Sequence, residues 1–100
     1  MKDFTLSPDG EEMILVRFVG ELENHAKGVT RIRNGVIGIE IVQENLDPLI
    51  VIHEILHGVF MWVRKHHWDI GGEREEIIVR GFITMLDGFM ERLYEHQTGG

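Results

Sequence analysis

Cysteine is absent from this 100-residue chain. Disulfides and thiolate metal sites are therefore excluded. The absence fits a reducing compartment, and a cytoplasmic protein is the expectation. Basic residues are also scarce: ten Lys and Arg stand against seventeen Asp and Glu, for a formal charge of −7. Arg31, Arg33, Arg64 and Lys65 form no long run, so nucleic acid is not an expected partner. Nor is a membrane. The most apolar stretch, Leu49 to Val63, is too short for a span and carries His53, Glu54 and His57 in its middle; it reads as a buried helix. The start, Met1-Lys2-Asp3-Phe4, lacks the apolar run of a secretory leader, and none is expected there.

What is present has the balance of an ordinary globular protein, with 43% hydrophobic and 27% charged residues. The length suits a single domain over residues 1–100, whose modest core a bound metal would reinforce. Residues 1–10 read as a loose start with a turn at Ser7-Pro8-Asp9-Gly10. Met13 to Val19 is rich in β-formers and reads as a strand. Residues 21–28 are polar and read as a loop or short helical turn. Asn34-Gly35, between Val29–Arg33 and Val36–Val42, is a two-residue hairpin signal, because both positions tolerate positive φ.

Asp47-Pro48 then starts a helix, Asp as N-cap and Pro at the first helical position. It is expected over about 48–66, with a break at Asp69-Ile70-Gly71-Gly72. A second helix follows over about 73–95, its first turn enriched in Glu73, Glu75 and Glu76. The predicted class is α+β: a small antiparallel sheet packed on two helices. Trp62, Trp68, Phe82 and Phe89, with Met61, Met85 and Met90, are candidates for its core.

The chemistry concentrates in His53-Glu54-Ile55-Leu56-His57. His53 and His57 are four residues apart and share one helix face. Two neutral imidazoles so placed can both reach one Zn2+ ion. Glu54 is turned aside by roughly 100°, where a carboxylate can take a proton from a metal-bound water. Three polar residues inside an apolar helix are expensive to bury without such a purpose. A catalytic zinc also needs a third protein ligand, and Glu73, Glu75 and Glu76 all open the next helix. His66 and His67 close the first helix, where positive charge suits the dipole. His25 and His96 read as surface residues.

The His-Glu-x-x-His segment followed by Glu76-Ile77-Ile78-Val79-Arg80-Gly81-Phe82 resembles the gluzincin arrangement. It is similar to small zincin-like proteins of phage and prophage genomes and to ImmA/IrrE-type peptidases, over roughly residues 29–95. The metzincin pattern is excluded, because Val63 stands where its third His would be. The resemblance implies a zinc metallopeptidase, a hydrolase acting on a peptide or protein, in a host cell that carries the phage. It implies His53 and His57 as ligands, Glu54 as general base and Glu76 as third ligand, with Glu75 as competitor. It also implies a substrate lying along an edge strand, for which Val36–Val42 is the candidate. A catalytically inactive zincin-like protein, binding metal or a partner, is the alternative.

Overall fold

The computed structural model describes residues 2–44, 46–66 and 74–97, without the side chains of Glu75, His96 and Gln97. The expected break at 69–72, and the roles assigned to His67, Trp68, Glu73 and the side chains of Glu75 and His96, lie outside the described residues.

Four strands, β1 (Phe4–Leu6), β2 (Ile14–Val19), β3 (Gly28–Arg33) and β4 (Val36–Val42), precede two helices, α1 (Pro48–His66) and α2 (Arg74–Gln97). The architecture is α+β. The sheet order is β1-β2-β4-β3. Asn34 (φ 53°) and Gly35 (φ 78°) turn β3 into β4, and Arg33 pairs with Val36 and Ile32 with Ile37. Two successive positive φ values give the hairpin the twist its strands require.

Three local expectations change. β1 replaces the loose start, because Phe4 and Leu6 alternate inward and Phe4 meets Phe18 and Phe89 at ring-centroid distances of 5.8 and 5.6 Å. Three residues carry too little local pattern to announce a strand; the packing supplies it. The sheet is mixed and not purely antiparallel, since β2 and β4 pair parallel. The chain takes β3 to the outer edge first, and the tight turn brings β4 back between β3 and β2. β4 is therefore interior, and the edge strands are β1 and β3. Val36–Val42 cannot offer a free edge to a peptide, because both its sides are already paired.

One face of the sheet carries the core. Ile14 and Val16 of β2 and Ile37, Ile39 and Ile41 of β4 alternate onto it. Val51, Ile55, Val59 and Trp62 of α1 and Met85 and Phe89 of α2 cover it. Asp47 caps α1 as expected, its Oδ1 accepting from the Leu49 amide at 2.9 Å. The helices lie side by side and antiparallel. A Cβ at Gly58 would sit 3.9 Å from Met85 Cε, and one at Gly81 would sit 3.0 Å from the Trp62 ring. Gly58 is thus level with Met85 and Trp62 with Gly81. Continued along α1, the same register sets His57 and His53 level with residues near 86 and 90. Among the described residues no helix is long and apolar enough to cross a membrane.

The end of α1 is tied to the loops. Lys65 Nζ donates to Glu12 Oε1 at 2.7 Å and to the Gly35 carbonyl at 2.6 Å, and His66 Nε2 lies 3.0 Å from Glu12 Oε2. The Lys65 ammonium, helped by His66, holds the Glu12 carboxyl below the usual carboxylate range against the upward push of its partial burial.

Two predictions follow from these contacts. Asp47→Ala removes the cap and lowers stability by about 0.5–2 kcal/mol in urea unfolding. Glu12 has a lowered folded pKa, so its stabilisation is present above the unfolded value of about 4.3 and is lost as pH falls through the lower folded value. The stability difference between the parent and Glu12→Gln should be constant from about pH 5 to 6 and shrink below about pH 4.3. A difference that does not shrink below about pH 4.3 removes the clasp.

Candidate metal centre

The α1 periodicity buries Val51, Ile55, Val59 and Trp62, which leaves His53 and His57 on the solvent side. Their Nε2 atoms converge to 3.1 Å, with the rings nearly perpendicular at 82°. A tetrahedral zinc with Zn–N bonds of about 2.0–2.1 Å holds two ligand nitrogens about 3.3 Å apart. The spacing of the pair is close to that value, and equally close to an ordinary hydrogen bond. In the metal-free chain the same contact makes one imidazole the donor and the other the acceptor.

Glu54 is the one buried charged side chain among the described residues, 6% exposed. A carboxylate there is costly unless it is satisfied. Thr30 of β3 supplies the donor: its Oγ1 lies 2.7 Å from Glu54 Oε1 and 3.0 Å from the Glu54 carbonyl. The other oxygen, Oε2, lies 4.0 Å from His53 Nε2. One carboxylate oxygen is thus anchored to the edge strand and the other lies on the side of His53. Gly28 makes room for this, since a Cβ there would come within 2.8 Å of Glu54 Cγ and 3.0 Å of Ile50 Cγ2. Sequence reasoning missed Gly28 and Thr30. Their only signal is their shared inward parity on β3, in register with Ile41 and Ile39.

Glu76 is not brought to this pair. Its side chain is 65% exposed and its Oε1 accepts from Arg80 Nη2 at 2.6 Å. The helix register explains the separation. His57 is level with residues near 86, about ten residues further along α2, or roughly 15 Å at 1.5 Å per residue. Among the described residues no third His, Asp or Glu joins His53 and His57 in a metal-holding group. His66 is engaged with Glu12, His25 is exposed in the 3-10 turn Glu23–His25, and Tyr94 is exposed. Of the expected core set, Trp62, Met85 and Phe89 are buried, Met61 and Phe82 pack against them, and Met90 is exposed.

Comparison with family models, curated proteins and solved structures returns no match.

The Thr30 contact is testable without any metal. Thr30→Val keeps the shape but leaves the buried carboxylate without its donor. It should lower stability by about 1–3 kcal/mol in urea unfolding, while Thr30→Ser stays close to the parent. Equal stability of Thr30→Val and the parent would show that Glu54 is not held by this bond.

Proposed function

We propose that the chain binds zinc through His53 and His57 and hydrolyses peptide bonds with Glu54 as general base. The observation that carries this reading is the approach of the two Nε2 atoms to 3.1 Å beside a buried carboxylate whose second oxygen lies 4.0 Å from His53 Nε2. Bound there, zinc would supply a Lewis acid for the scissile carbonyl and lower the pKa of a coordinated water.

The remaining work falls to the chain. Glu54 Oε2 takes the water's proton and returns it to the leaving amine. Thr30 holds the carboxylate in place by its other oxygen, and burial among apolar neighbours keeps competing water away from it. The substrate strand is assigned to β3, the edge next to α1, in place of β4. A peptide added to β3 would run beside Thr30, and so past Glu54 and the histidines. No step is assigned to Glu76, which lies at another level of α2. Zincin-like ancestry and a phage setting belong to this proposal and rest on the motif. The second reading, a metal-binding protein without activity, is favoured by one observation: a single copy offers only two ligands among the described residues.

Metal content and turnover decide between them. Zinc should be retained by protein purified without chelator, and His53→Ala or His57→Ala should lose it. Glu54→Gln should fold, keep zinc, and cut cleavage of a peptide library by about two to four orders of magnitude. Zinc binding with no cleavage by the parent would leave the inactive reading. Loss of zinc from Glu54→Gln would make Glu54 a ligand or its support, and no zinc in the parent would sink both.

A further inference from the structure

The outer side of the helix pair is apolar. On α1, Leu49, Ile52, Leu56 and Phe60 recur at helical spacing on the side away from the sheet, with Leu49 72% exposed. On α2, Val79, Ile83, Met90 and Tyr94 do the same, with Ile83 58% and Tyr94 68% exposed. The antiparallel register sets Phe60 level with Ile83 and Leu49 level with Tyr94, so the two stripes form one continuous face. With large side chains of about 150–250 Å² each, these exposures amount to roughly 700 Å² of apolar surface. Lone monomers rarely leave that much uncovered, and a stable interface needs about 800 Å² per partner.

The two flanks of this face differ in chemistry. On α1 the flank away from α2 carries His53, His57 and Arg64. On α2 the flank away from α1 carries Asp87 and Glu91, both exposed beside Thr84 and β1. A two-fold axis parallel to the helices, lying in the plane of the face, lays α1 of one copy over α2 of the other. Heights along the helices are unchanged by such a rotation. His53 and His57 of one copy then fall level with residues near 90 and 86 of the other, beside its Asp87 and Glu91. Apolar face meets apolar face, and the imidazoles of one copy meet the carboxylates of the other.

We propose that a second copy of this chain covers the outer helix face, and that Asp87 or Glu91 of one copy completes the metal site at His53 and His57 of the other. The second part rests on the zinc reading; the first does not. The dimer contains two equivalent sites, each with two imidazoles and a carboxylate from across the interface. A third ligand of this kind leaves one tetrahedral position for water. It also supplies the third donor that the described residues of one copy do not bring to His53 and His57.

Light scattering on the chelator-treated chain at about 100 μM should give twice the 11.6 kDa mass of one copy. Phe60→Glu combined with Ile83→Glu changes only exposed positions and should give a monomer with the parent's circular dichroism. Asp87→Asn combined with Glu91→Gln should stay dimeric and bind zinc more weakly by about tenfold or more. A parent that is monomeric with and without zinc overturns the dimer, and so does a Phe60/Ile83 variant that remains dimeric. Parent-like zinc affinity in the Asp87/Glu91 variant overturns the shared site. Zinc stoichiometry in the same samples reports on His53 and His57 separately, so failure of the dimer and failure of the zinc reading remain distinct.

Discussion

The contact on which the site depends is the hydrogen bond from Thr30 to the buried carboxylate of Glu54. Burying a carboxylate in an apolar helix face is unfavourable by several kcal/mol unless its oxygens are satisfied. One donor on the adjacent edge strand does this for Oε1, and the bare backbone of Gly28 lets the strand come close enough. The bond fixes α1 laterally against β3. It also fixes which way Oε2 points, and hence the relation of the carboxylate to His53. A structural role alone would be served as well by an apolar residue at position 54, with no polar group to satisfy. The acid lies beside two converging imidazoles, which supports the proposed chemistry.

The histidine pair lies on the neighbouring, solvent side of α1. Helical spacing puts His53 and His57 on one side of α1, but spacing alone does not bring two Nε2 atoms to 3.1 Å. The apolar residues between and around them anchor α1 so that this side stays in solvent, at the rim where β3 ends the sheet. The edge strand, the carboxylate and the imidazoles are therefore neighbours for one reason: α1 lies across β3 and β4, and β3 is outermost.

The same layering leaves the helices half covered. A single sheet can bury one side of α1 and one side of α2. Their other sides carry Leu49, Phe60, Ile83 and Tyr94 among the charged residues usual on an outer surface. A short chain with one sheet face for a core gains most from a partner on that surface. The proposed second copy would supply it, and would bring Asp87 and Glu91 to the histidines beside the copy's own Glu54.

Local sequence determined the elements whose signals are short-range. Asp47-Pro48 started α1 where expected, Asn34-Gly35 formed the hairpin turn, and the His-Glu-x-x-His spacing put two imidazoles on one helix side. These depend on backbone dihedrals, capping and helical repeat, which neighbours in the chain decide. Tertiary structure decided the rest. β1 exists because Phe4 reaches Phe18 and Phe89, and no local pattern encodes that. β4 is interior because the chain crosses to the outer edge first, which strand propensity cannot express. Gly28 and Thr30 matter because β3 passes Glu54, 24 residues away in sequence. Glu76 is apart from the histidines because the packing of Gly58 on Met85 and of Gly81 on Trp62 sets the helix register. Sequence separation gave the acid at the start of α2, but the level at which one helix faces another is a property of side-chain interlocking across the pair, and it exists only in the folded chain.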